Sequence, residues 1–217
     1  MKTILYLLLI LNCCQLHAQR VDVFSGINLN KYYDTQDYIF GSDYSNELGY
    51  NLGIGVELND LSWLRIALNY TNYSGGLRVS EGGQAGRNTT QGTIRKSLLS
   101  VEIYPIRLEG GLDLNIGFAV STLINHRTNA TSSGFFMGQP FVSWNEAINE
   151  RYEKFNSSVY FGLIGKLSYR FVISDQLELV PYYSYYIGLS NEFLEFPEST
   201  KAMRHNIGIG LSKALKN

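Results

Sequence analysis

From Leu48 to Leu58 the chain reads Leu-Gly-Tyr-Asn-Leu-Gly-Ile-Gly-Val-Glu-Leu, with a large apolar residue at every even position and Gly, Asn or Glu at every odd one. Such period-two alternation is a strand with one apolar face and one polar or very small face. The period recurs. Leu64, Ile66, Leu68 and Tyr70 alternate with Arg65, Ala67, Asn69 and Thr71, and Leu112, Leu114, Ile116, Phe118 and Val120 with Asp113, Asn115, Gly117, Ala119 and Ser121. Val159, Phe161, Leu163, Leu167, Tyr169 and Phe171 oppose Tyr160, Gly162, Lys166, Ser168 and Arg170. The pattern predicts eight strands, near residues 21–30, 45–58, 62–74, 93–107, 111–124, 157–173, 177–190 and 202–215. Asn59-Asp60, Glu109-Gly110 and Ser174-Asp175-Gln176 are tight connections built from hairpin-turn residues. The links Lys31 to Tyr44, Gly75 to Gly92, Asn125 to Asn156 and Asn191 to Lys201 are long. Alternate short and long connections predict a barrel with turns and both termini at one end and loops at the other.

Alternation alone does not separate an oily-outside barrel from a secreted soluble barrel of the lipocalin type, whose apolar face lines a ligand cavity. The other face separates them. It collects Glu57, Arg65, Glu102, Asp113, Lys166, Arg170, Glu178 and Arg204 among many Gly and Ser residues. A water-facing surface favours long polar side chains, whereas a narrow lumen needs small residues mixed with compensated charges. The expected fold is therefore all-β: a closed antiparallel transmembrane up-and-down β-barrel of eight strands. Its lumen is expected to be plugged by a salt-bridge network of those eight residues, leaving no wide pore. A soluble lipocalin-like ligand carrier is the alternative.

Composition agrees with a β fold: 16 Tyr, 11 Phe and 21 Gly stand beside only 17% charged residues. Lys2, the apolar run Ile4 to Leu11 and Leu16-His17-Ala18 read as a cleavable signal peptide, dividing the chain into residues 1–18 and a barrel domain over residues 19–217. Cys13 and Cys14 both fall in the leader, which excludes a disulfide scaffold or thiolate metal site in the mature chain. Leu11-Asn12 lacks the small residue that a lipoprotein signal places before its cysteine. No later stretch approaches the ~18 apolar residues of a transmembrane helix. Eighteen Lys and Arg against 19 Asp and Glu give no reason to expect nucleic acid. His126 and His205, without a carboxylate constellation, make no metal site, and no cofactor is expected.

The chain resembles the small outer-membrane barrels of the Bacteroidota, the PorT-like barrel family. The resemblance rests on the leader ending Ala18-Gln19, on Gly49, Gly53 and Gly55 in the second strand, and on a last strand reading Asn206-Ile207-Gly208-Ile209-Gly210-Leu211-Ser212. It implies an outer-membrane location, with outer-membrane lipid and, during assembly, the outer-membrane insertion machinery as partners. It implies no shared enzymatic activity. The chain ends Lys213-Ala214-Leu215-Lys216-Asn217, without the terminal aromatic residue that such barrels often carry.

Function outside the lumen is expected on the long loops. Phe135, Phe136, Phe141 and Trp144, beside an amphipathic helix over residues 144–155, would either pack on the barrel rim or contact a surface protein or glycan partner. Glu81-Gly82-Gly83-Gln84-Ala85-Gly86-Arg87 lacks the Gly-Lys-Ser/Thr ending of a phosphate loop and reads as flexible loop. His126-Arg127-Thr128-Asn129 resembles the His-x-Ser-Asn run of outer-membrane lipid A deacylases, whose His activates the Ser towards an acyl ester. Parity puts His126 and Thr128 on the outward face, and a lipid A deacylase-like hydrolase would need a further residue to orient the imidazole. Without one, the expectation is a non-enzymatic envelope or surface-contact role. Tyr32, Tyr33, Tyr70, Tyr73, Tyr104, Tyr169, Tyr182, Tyr183, Tyr185 and Tyr186 are expected as interface girdle and lumen filler rather than a sugar-binding surface.

Overall fold

The computed structural model describes residues 18–33, 42–58, 61, 63–83, 86–108, 110–137, 139–143, 156–193 and 200–215. The strands are β1 (Ala18–Tyr33), β2 (Ser42–Leu58), β3 (Arg65–Gly83), β4 (Gly86–Leu108), β5 (Asp113–Phe136), β6 (Gln139–Ser143), β7 (Val159–Ser168), β8 (Phe171–Ser174), β9 (Leu177–Gly188) and β10 (Lys201–Ala214). β1 to β5 pair in order, β5 passes to β7, β7 and β8 both pair with β9, and β9 pairs with β10. β10 returns to β1 in unbroken antiparallel register from Arg20 opposite Ala214 to Tyr33 opposite Lys201. With β7 and β8 taken as one interrupted strand, eight strands form a closed ring.

Pro181 explains the interruption. The Tyr169 amide donates to the Pro181 carbonyl at 3.2 Å. Proline has no N–H to return the bond, so the ladder between β9 and its neighbour breaks at that pair.

The expected strands are present, and three of them run further than the sequence pattern indicates. Gly75 to Gly92, read as loop, continues the β3–β4 hairpin to Gly83 opposite Gly86. The flexible-loop expectation for Glu81 to Arg87 is corrected at every described residue. Asn125 onward, also read as loop, stays in β5 as far as Phe136 and then pairs with β6. From Gly86 to Gly92 and beyond Asn125 the extensions carry Thr, Ser, Asn and Gln on both faces, and on β3 only Leu77 and Val79 continue the alternation among glycines and polar residues. Paired hydroxyls, Ser80 with Thr89 at 3.2 Å and Thr90 with Ser132 at 3.3 Å, join their strands instead. Residues 1–17 of the expected signal peptide, with both cysteines, and the helix expected over residues 144–155 lie outside the described residues, and Ala18 opens β1.

The two faces of the ring are inverted relative to a soluble barrel. Leu48 is 71% exposed and Phe161 52%, and Ile27, Leu52, Val120, Leu163, Ile207 and Leu211 join them on the outside. Arg65, Glu57, Lys96 and Lys166 are buried on the inside. This geometry corrects the carrier alternative, which needs the apolar set to line the cavity.

Glycines accommodate the aromatic rings of the lumen. A Cβ on Gly26 would come within 2.8 Å of the Tyr182 hydroxyl, and one on Gly208, its cross-strand partner, within 2.5 Å. Gly75 lies against the Tyr32 ring, and Gly162 against that of Tyr186. These inward glycines are thus seats for large side chains reaching across from other strands.

Gly75→Val is expected to lower stability by about 1–3 kcal/mol through overpacking against Tyr32. Adding Tyr32→Ala should recover part of that loss in urea unfolding of the refolded protein. A double variant that unfolds as the sum of the two single effects would show that the Gly75–Tyr32 fit is not the cause.

Candidate functional site

The polar interior falls into three tiers. At the short-turn end Arg170, which follows β7, reaches residues at the ends of three other strands. It donates to Asp113, to Glu57 at 2.9 Å and to Glu178 at 3.3 Å. Arg107 pairs with Glu57 at 3.0 Å, Arg20 with Glu178 at 3.3 Å, and Arg65 with Asp22. Arg20, Glu57, Arg107, Asp113, Arg170 and Glu178 border a cavity of about 750 Å³ that also touches Gln19, Trp63 and Gly110.

The middle tier is arranged differently. The Lys166 ammonium lies 4.1 Å from the Phe24 ring centroid and 4.2 Å from that of Tyr182. The Arg204 guanidinium lies 4.0 Å from the Tyr186 ring and 4.9 Å from Tyr73. A desolvated cation over an aromatic face gains on the order of 2 kcal/mol. Glu102 accepts from the Asn69 amide at 2.7 Å and the Tyr104 hydroxyl at 2.8 Å.

At the long-loop end Glu192 and Phe193, which follow β9, are buried inside the ring. Glu192 pairs with Lys96 at 2.8 Å and accepts from the Tyr73 hydroxyl at 2.9 Å. Lys96 also donates to the Glu192 carbonyl at 3.0 Å and the Tyr160 hydroxyl at 3.2 Å, and lies 4.4 Å from the Phe193 ring centroid. Ser157 and Thr200 hold the connection through backbone bonds to Glu192, at 3.3 and 2.7 Å.

No family model matches the chain, and no curated protein matches it. Among solved structures it is similar to Neisserial surface protein A, at 12% identity and a TM-score of 0.40 over 90% of this chain and 97% of that one. It is also similar to the outer membrane protein OprG of Pseudomonas aeruginosa, at 12% identity and a TM-score of 0.41 over 92% and 98%. A third likeness is to Ail, the attachment invasion locus protein of Yersinia pestis, at 10% identity and a TM-score of 0.36 over 90% and 99%. At such distances no ligand or residue role is carried across.

All eight residues expected on the polar face point inward, but they do not pair as one network. Lys166 and Arg204 face aromatic rings, and Glu102 binds an amide and a phenol. Arg20, Asp22, Arg107, Lys96 and Glu192 complete the interior set and were not among the expected residues. Asp22 and Lys96 follow from extending the alternation of their strands. Arg107 does not, because a register shift between Ile103 and Ile106 reverses the parity of β4 at Tyr104-Pro105. Glu192 lies in no named strand, so period-two alternation gives no signal for it.

The expected outward placement of His126 and Thr128 is corrected. Leu98 is opposite Leu123 but Ser97 is opposite Asn125, so Ile124 is an extra residue that inverts the parity of β5. Thr128 is therefore buried on the inner side with Ala130 and Ser132, and His126 is half-buried there. Arg127 takes the outward position. Of the expected loop contacts, Phe135 is exposed beside the β5–β6 turn, while Phe136 and Phe141 are described only by their backbone pairing. Trp144 lies outside the described residues.

Removing one member of a buried ion pair leaves the other charged and unpaired, at a cost of about 3–5 kcal/mol. Lys96→Met should lose stability on that order in urea unfolding, and Lys96→Met with Glu192→Gln should lose less than the single change. Arg170→Leu should also lower the unfolding midpoint, by a smaller amount because Glu57 keeps Arg107 and Glu178 keeps Arg20.

Proposed function

We propose that this chain is an integral outer-membrane β-barrel with a lumen closed by its own side chains, serving the cell envelope without catalysing a reaction. The observation that carries the proposal is the inverted ring: apolar outside, charged inside, and closed by the pairing of β1 with β10. Apolar side chains exposed over a whole closed surface need a nonaqueous surrounding. Closure also leaves no unpaired edge for hydrocarbon to meet. On β5 the outward apolar run from Leu114 to Ile124 covers about ten residues at ~3.4 Å each. Tilted by roughly 40°, it spans about 25 Å, the height of an outer-membrane apolar band. The short-turn end then faces the periplasm and the extended β3, β4 and β5 hairpins reach outside the cell.

Within this reading the chain is a small barrel of the PorT-like kind, exported by a cleaved signal peptide and assembled by the outer-membrane insertion machinery. Ion pairing by Arg170 at one end and by Lys96 with Glu192 at the other supports a plugged lumen. Contact with a surface protein or glycan would fall to the extracellular strand extensions and loops.

Expressed in a Gram-negative host, the wild-type protein should sediment with outer membranes and migrate faster on a gel when unheated. Phe161→Arg near the band centre should reduce the folded, fast-migrating form, at a cost of about 2–4 kcal/mol. Recovery of the wild type as soluble periplasmic protein would overturn the proposal. In planar bilayers the wild type should show no steady conductance, and persistent open channels would overturn the closed lumen.

A further inference from the structure

Arg95 on β4 and Arg127 on β5 are direct cross-strand partners, and both are exposed on the outer face of the ring. Side chains in such pairs start roughly 5 Å apart at Cβ, and like charges placed so destabilise the sheet. Among the described residues neither guanidinium forms an ion pair with a carboxylate. Glu47 on β2 accepts from the hydroxyl of Thr93, two residues along from Arg95. The pair exists because the extra residue at Ile124 turns Arg127 outward, where uninterrupted alternation would turn it in.

Their height on the barrel is informative. Outward positions on β4 run Ile106, Ile103, Val101, Leu99, Ser97 and Arg95; those on β5 run Val120, Thr122, Ile124, Asn125 and Arg127. The arginines thus follow the last apolar residues at the long-loop side, above a continuous oily surface. Ser97, between them and that surface, is fixed by Tyr70 at 3.2 Å and Asn72 at 2.9 Å. Two guanidinium groups side by side, with no paired carboxylate among the described residues, match the oxygens of a phosphate group.

We propose that Arg95 and Arg127 bind a phosphate group on the headgroup of an outer-leaflet glycolipid, whose acyl chains lie against Leu99, Val101 and Val120. A lipid source fits better than free phosphate because the site borders the apolar band instead of opening into a cavity. This inference rests on the membrane reading above.

The test compares the wild type with Arg95→Gln, Arg127→Gln and the double variant, each refolded in neutral detergent and checked for heat-modifiable migration. Native mass spectrometry then measures retention of three probes: bis-phosphorylated lipid A, the same lipid A without phosphates, and inorganic phosphate. The wild type should hold the phosphorylated lipid at least about tenfold more tightly than the double variant, the order expected for losing charge-assisted contacts. Lipid A without phosphates should bind all variants alike. Equal retention of phosphorylated lipid by the folded wild type and double variant would overturn the site while leaving the membrane reading intact. Inorganic phosphate binding as tightly as the lipid, with the same arginine dependence, would overturn the lipid assignment. A wild type with no heat-modifiable form in detergent would instead fail the membrane reading itself.

Discussion

Closure of the backbone ladder is the constraint on which the rest depends. A strand with an apolar outer face cannot leave its N–H and C=O groups unpaired along an edge, and the β1–β10 pairing joins the two edges that a linear eight-stranded sheet would keep. Once the ring is closed at eight strands, its bore is fixed at about the width of two facing side chains. Every inward residue must then fit against those opposite. Tyr182 over Gly26 and Gly208, Tyr186 over Gly162 and Tyr32 over Gly75 are solutions to that fit. Glycine at these four positions follows from ring size, not from a need for flexible backbone.

The interior charges follow from the same closure. With the outer face apolar, the strands' other face has only the bore, and charges there must meet partners across it. Burying an ion pair gains little net stability over well-packed apolar residues, because desolvation offsets the attraction. Arg170 joining Glu57, Asp113 and Glu178 is better understood as a register device. Its partners stand on β2, β5 and β9, and a one-residue slip of any of these would turn the carboxylate outward and leave the guanidinium short of a partner. Lys166 and Arg204, held over aromatic faces, satisfy their charges where the bore is filled by rings.

The fold was legible because alternation over long strands is a redundant signal: Leu48 to Leu58 and Leu112 to Ser121 each state the inward and outward faces several times over. The inward position of Glu57, Arg65, Lys166 and Arg170 was readable for the same reason. Their partners were not, since period two gives a face but no height, and pairing depends on which residues share a level of the tilted ring. Glu192 reaches Lys96 from a connection, where no period exists. The extensions from Gly86 to Gly92 and beyond Asn125 were missed because strands polar on both faces carry no alternation, and that of β3 because Leu77 and Val79 alone continue it between glycines.

The inward position of Arg107, which alternation does not give, and the corrected placement of His126 with Thr128 share one cause. Both result from an extra residue in the β4–β5 pairing, at Tyr104-Pro105 near the short-turn end and at Ile124 near the long-loop end. A bulge re-aims every side chain beyond it. The first turns Arg107 inward, where it meets Glu57. The second turns Arg127 outward, opposite Arg95, and Thr128 inward. Between the bulges the strands keep strict alternation, with Val101, Phe118 and Val120 outside and Glu102, Ala119 and Ser121 inside. The second parity change therefore sits at the long-loop limit of the apolar band, where the outer face changes from apolar to polar, whereas the first lies within the band, with Ile106, Leu108 and Ile116 exposed on its turn side.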